Sequence, residues 1–172
     1  MTSRAELLLS IAGRTDAYGE EQPDGTIRIV RKPLTREVLQ DHLVGRRSIH
    51  VFLVGPQGET RCGGFIIREH TERARLALVK LKNRLGWHSF PLLIEDRYDE
   101  GYWAWMPLKR TAPAWAVVKA LQEALDEVGP ADFPIEIFPS QEELQRLGFW
   151  PDQEWVRREI ARHHSQGANN AP

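Results

Sequence analysis

Six tryptophans occur in 172 residues, and two stand two positions apart in Glu100-Gly101-Tyr102-Trp103-Ala104-Trp105. Alternation along an extended strand puts Trp103 and Trp105 on one side, and Tyr102, Ala104 and Met106 on the other. Two indoles on one face can stack nucleic-acid bases, each stack contributing ~1–3 kcal/mol, or bury against protein. Cations able to follow a phosphate backbone are Arg61, Arg68, Lys109 and Arg110, with Arg46 and Arg47 upstream; the alternative for each is ordinary solvated charge. Glu69, Glu95 and Glu136 are the carboxylates that neighbouring strands could gather around a metal ion, Glu136 being the candidate catalytic group. His42, His50, His70 and His88 lack the spacing of metal ligands on a helix. The single cysteine, Cys62, forms no intramolecular disulfide and, beside Gly63 and Gly64, reads as a small buried strand residue. No Walker loop, Ser-His-Asp set or dinucleotide fingerprint is present.

These side chains need strands to carry them, and the sequence supplies strands with two helices between. SIHVFLV (48–54) is β-branched and aromatic, and GPQG after it predicts a hairpin turn into TRCGGFII (60–67). The paired glycines of that second strand predict a bulge or a close backbone approach. TERARLALVKLKNRLG (71–86) predicts a helix with Ala74, Leu78, Leu81 and Leu85 as its apolar stripe. SFPLLIE (89–95) and GYWAWMP (101–107) predict two more strands. APAWAVVKALQEALDEVG (112–129) predicts a helix with Val117, Val118, Leu121, Leu125 and Val128 inward, and FPIEIFP (133–139) a last short strand near an edge. Residues 60–139 thus read β-α-β-β-α-β, an α+β, ferredoxin-like or RRM-like order with both helices on one sheet face and the other face free. On that free face alternation places Ile66, Arg68, Trp103, Trp105, Glu95 and Glu136, with Ile135 and Ile137 under the helices.

Around this core, Ser3-x-x-Glu6 is a capping box for a helix that stops at Gly13, PDG marks a turn between two extended pieces, and Thr35 opens a helix ended by Gly45. Ser140-x-x-Glu143 opens another helix, and DQEWVRREIARHH a last one. The expected organisation is an N-terminal helical and extended segment over 1–47 packed on the core, the core over 48–150, a C-terminal helix over 151–164 and a disordered tail over 165–172. Acidic and basic residues number 24 and 23, a formal net charge of −1, so any nucleic-acid surface would be a local patch. No apolar run reaches the length of a membrane span. The N-terminal leucines are too few for a secretory leader, and a cytoplasmic protein without a membrane partner is expected.

Two known families share this strand order. The RNA-recognition motif would need a basic-Gly-aromatic-small-aromatic third strand, and Glu100-Gly101-Tyr102-Trp103-Ala104-Trp105 opens on an acid and loses register after the tyrosine. From about residue 13 to 148 the chain resembles the archaeo-eukaryotic primase superfamily, particularly the primase domains of TOTE-type conflict systems and related primase-polymerases, whose core is RRM-like. The landmarks, in order, are GRTDAY (13–18), DHLVGRRSIHVFLV (41–54), LLIEDRYDEGYWAW (92–105) and IEIFPSQEEL (135–144). The resemblance implies a DNA primase, a nucleotidyltransferase using magnesium or manganese held by an Asp-x-Asp pair. Ile66 and Arg68 occupy the positions of that pair, and Trp103 that of the family's nucleotide-contacting histidine. After Gly148-Phe149 the family's Gly-Asn and following strand are replaced by Trp150-Pro151.

Those departures imply a degenerate, non-catalytic primase-like protein, a pseudoenzyme without a cofactor. Its expected ligands are single-stranded DNA or RNA, held by Arg61, Arg68, Trp103, Trp105, Lys109 and Arg110, or a primase, helicase or defence-system protein. Two alternatives stay open: a purely protein-binding module using the aromatic face, and an active primase-polymerase with a non-standard carboxylate metal site.

Overall fold

Two antiparallel sheets and five α-helices make up residues 4–151, the residues described by the computed structural model. In chain order they are α1 (Arg4–Ile11), β1 (Tyr18–Glu21), β2 (Ile27–Val30), α2 (Arg36–Leu43), β3 (Ile49–His50), β4 (Glu59–Ile67), α3 (Glu72–Gly86), β5 (Leu93–Asp96), β6 (Tyr102–Pro113), α4 (Ala114–Val128), β7 (Glu136–Phe138) and α5 (Gln141–Leu147). The Ser3 cap, the helix expected over 151–164 (all but Pro151) and the tail over 165–172 lie outside the described residues. No helix among the described residues is long and apolar enough to cross a membrane.

The larger sheet has the order β5-β6-β4-β7, every neighbouring pair antiparallel. Helix α3 connects β4 to β5, and α4 connects β6 to β7. Thr71 caps α3 by accepting the Ala74 N–H. Ala74, Leu78, Leu81 and Leu85 recur at helical spacing, and all four are buried. Val117, Leu121 and Ala124 of α4 meet them over Phe65, Ile67, Tyr102, Ala104 and Met106, so both helices cover one sheet face. Each large apolar side chain fully buried here contributes about 1.5–3 kcal/mol. Ile135 and Ile137 pack against the same core, while Glu136 points away, which agrees with the alternation read from the sequence.

The smaller sheet, β2-β1-β3, is built on the PDG turn, where Asp24 accepts the Thr26 N–H and Gly25 takes φ +80°. With α1 and α2 it encloses a second core of Ala5, Ala12, Tyr18, Leu34, Leu39 and Ile49. Thr35 caps α2, as expected, by accepting the Val38 N–H.

Three expectations are corrected. The 48–54 run is not a seven-residue strand extending the main sheet: only Ile49–His50 is a strand, and it pairs with β1. Its remainder is held by α1's exit, because the Gly13 N–H donates to the Phe52 carbonyl. A Cβ on Gly13 would lie 2.1 Å from the Leu53 oxygen, so only glycine allows that approach. The GPQG turn does form, with a single bridge between Val54 and Thr60. β3 thereby joins the smaller sheet. Next, β6 runs to Pro113 rather than 107, since a register shift between Thr60 and Cys62 absorbs the extra residues and lets β4 pair again with Ala112 and Pro113. Thirdly, the face opposite α3 and α4 is not free: Leu8 and Ile11 of α1, with Leu53, pack onto Cys62, Ile66, Phe138, Trp103 and Trp105.

Candidate functional site

Strand register collects the residues singled out by the sequence. Glu95 pairs with Trp103, Trp103 with Ile66, and Ile66 with Glu136, making one row across all four strands. The adjoining row runs Leu93, Trp105, Gly64, Phe138. Gly64 has no side chain, and the rings of Trp105 and Phe138, two strands apart, meet over it edge to face at 5.0 Å. Trp103 stacks beside Trp105 at 5.6 Å. The missing Cβ of Gly64 thus shapes the aromatic cluster.

Neither tryptophan is a bare platform. The Arg97 guanidinium lies 4.2 Å from the Trp103 ring centre, and Arg97 is held by Glu95 at 3.2 Å and Glu100 at 3.4 Å. Trp105 Nε1 donates to Glu95 Oε2 at 3.2 Å, and Arg4 reaches Glu95 Oε1 from α1 at 3.5 Å. Trp103 Nε1, by contrast, is buried without a partner, the one such side-chain polar atom among the described residues.

Beyond Ile67, Arg68 projects from the end of β4 and grips Glu136 with two nitrogens, Nε at 2.6 Å and Nη2 at 3.2 Å. Glu136 is both the hydrogen-bond acceptor and the counter-charge that raise the Arg68 pKa. Ile66 is 8% exposed and offers no donor atom. A buried isoleucine and an arginine committed to the nearest carboxylate do not fit a divalent cation. Glu95 and Glu136 occupy opposite ends of a four-strand row, roughly 14 Å apart by strand spacing, and cannot share one ion. No group of three metal-ligating side chains lies together among the described residues.

The predicted phosphate-tracking cations do not form one patch. Arg61, Lys109 and Arg110 are exposed around the register shift of β4 and β6 and make no ion pair among the described residues. Arg68 lies at the other end of β4, about 23 Å away along the strand. Arg46 pairs with Asp41, and Arg47 with Glu20 and Asp41, beside the small sheet.

Two features escaped the sequence reading. His70 Nε2 contacts both Asp96 carboxylate oxygens, at 3.0 and 3.1 Å, and its ring stacks with Tyr102 at 4.9 Å and Tyr98 at 6.2 Å. The Tyr98 N–H, and then His70, hold the Asp96 carboxyl below its usual range. Also unforeseen is a cavity of about 270 Å³ beside Trp105, walled by Leu7, Leu8 and Ile11 of α1, Leu43 at the end of α2, Leu93 and Ile94 of β5, and Pro107. Leu7, Leu43, Leu93 and Ile94 are exposed there. The signal was present in the all-round apolar LLLSI of α1, which marks a helix lying between layers.

Cys62 sits beneath this face with no exposed surface, and burial pushes its thiol up to about 12. Modification by a disulfide reagent at mildly alkaline pH is expected to be roughly a thousand-fold slower in the native protein than in urea. Equal rates would contradict the burial of β4.

The chain matches no protein-family model and no curated protein.

Proposed function

We propose that this chain is a degenerate, non-catalytic primase-like domain with an RRM-like core, acting as a binding module for a protein partner of replication or conflict systems. The observation that carries the reading is the row Glu95-Trp103-Ile66-Glu136 with Arg68 locked on Glu136. A primase would need two aspartates and a histidine where Ile66, Arg68 and Trp103 stand. The strand order β5-β6-β4-β7 with both helices on one side supports the RRM-like core. The apolar rim around Trp105 supports a protein partner, since the cations of this face are already paired with carboxylates and leave little for phosphate.

Purified chain given template, nucleotides and magnesium or manganese is expected to make and extend no primer. Robust synthesis that Glu136→Ala abolishes would overturn the reading in favour of a carboxylate-built metal site. Binding to a purified primase or helicase encoded beside it is expected to weaken by about 10-fold or more with Trp105→Ala.

One observation favours single-stranded nucleic acid as a second ligand: Arg61, Lys109 and Arg110 are exposed and form no ion pair among the described residues. On that reading oligonucleotide affinity falls with added salt, with a log–log slope near −0.7 per phosphate contacted, and Lys109→Glu with Arg110→Glu abolishes it. No binding at low salt would remove this second reading.

A further inference from the structure

Away from that face, the helix-covered side carries an unfilled hole and an uncovered knob, side by side. Trp87, which follows α3, is 80% exposed, the most exposed large apolar side chain among the described residues. The next residue, His88, and then Phe90 line a cavity of about 370 Å³ between α3, α4 and β6. Leu85, Met106 and Leu108 form its walls, and Ala116 and Ala120, one turn apart on α4, leave the space open because they end at Cβ. Trp87 is not among the residues lining the cavity beside it, so the indole does not fill its own neighbour's hole.

A knob and a hole on one patch are what a two-fold interface requires, because each copy offers both and both are satisfied at once. The rim has the matching electrical property. Arg84 and His88 stand on one side and Glu123 and Glu127 on the other, with Arg84 bonded to Glu127 and to His88. With Arg84 and Glu127 paired within the chain, the rim carries no large single-sign excess that would repel a second copy.

We infer that two copies of this chain dock about a two-fold axis, each Trp87 indole entering the other copy's cavity. A tryptophan buries about 150–250 Å², and Phe90, 40% exposed at the mouth, adds to the apolar centre. Two reciprocal indoles make the core of a small interface, below the standard ~800 Å² per partner, the size class of weak and transient contacts. This dimer is independent of the function proposed above.

Sedimentation velocity on the full chain from about 1 to about 100 μM, a range suited to weak association, is expected to move from one chain mass to two. Trp87→Ala removes the knob from an exposed position and is expected to weaken dimerisation by about 30-fold or more. Ala120→Phe fills the hole from the exposed lip of α4, with the same expected loss. Mixing the two variants restores one knob-in-hole contact, so heterodimer is expected where neither variant alone associates. A wild type that stays monomeric over the range overturns the inference. So does a dimer that both variants leave unchanged, which would put the interface elsewhere, or decanoate binding in the cavity with no change in mass.

Discussion

Gly64→Ala is expected to lower stability by about 3 kcal/mol or more, a fall of about 6–12 °C in the thermal midpoint for a chain of this size. A Cβ there would lie 2.0 Å from the Ala104 carbonyl oxygen and 2.5 Å from the Phe138 ring. The ring can turn, but the carbonyl belongs to the central pair of strands and cannot withdraw without parting β4 from β6. Phe138→Ala added to Gly64→Ala tests this division. It removes the ring contact and leaves the carbonyl contact, so the double variant is expected to recover none of the lost stability. Urea unfolding followed by circular dichroism measures both. A cost below about 1 kcal/mol for Gly64→Ala would mean that the row Leu93-Trp105-Gly64-Phe138 is out of register, and with it the placement of Trp103 beside Ile66.

Ile66→Asp combined with Arg68→Asp is expected to cost about 3–5 kcal/mol in the presence of chelator and to make the protein respond to manganese. The cost has two sources: a buried aliphatic side chain is lost from beneath α1, and a carboxylate takes its place directly opposite Glu136. Removing Arg68 also frees Glu136 from its guanidinium partner. Three carboxylates on adjacent strand positions are then available to one ion. Binding at a hundred times its dissociation constant returns about 2.7 kcal/mol. Wild-type protein is expected to show no manganese-dependent change. Arg68→Asp alone, at a side chain 63% exposed, keeps the fold and is expected to give a smaller response. Manganese that stabilises neither folded variant would argue against Ile66 and Arg68 standing where the primase superfamily keeps its metal pair.

Much of the fold can be read from local pattern. The stripe Ala74, Leu78, Leu81, Leu85 defines α3, and alternation sorts Ile135 and Ile137 from Glu136 without knowledge of any partner strand. Register is different, because it depends on which residues face each other across strands. That Ile66 would meet both Trp103 and Glu136 follows from β4 lying at the sheet's centre, which no local signal states. The 48–54 run shows tertiary override most clearly: its β-branched residues favour a strand, yet the Gly13 N–H claims the Phe52 carbonyl. Arg61 and Arg68 are close in sequence, but an extended strand sets them about 23 Å apart, so they fall in separate patches.

The position of α1 decides what the sheet can bind. Leu8 and Ile11 already lie on Cys62 and Ile66, and Arg4 and the Glu6–Arg36 pair fasten the helix to β5 and α2. A covalently attached segment of this kind acts as an intramolecular competitor, present at an effective concentration that a free partner in solution rarely matches. Any partner reaching for the centre of the sheet must displace it. Among the described residues α1 walls the cavity beside Trp105 without filling it, so competition within the chain directs recognition to the edge of the sheet.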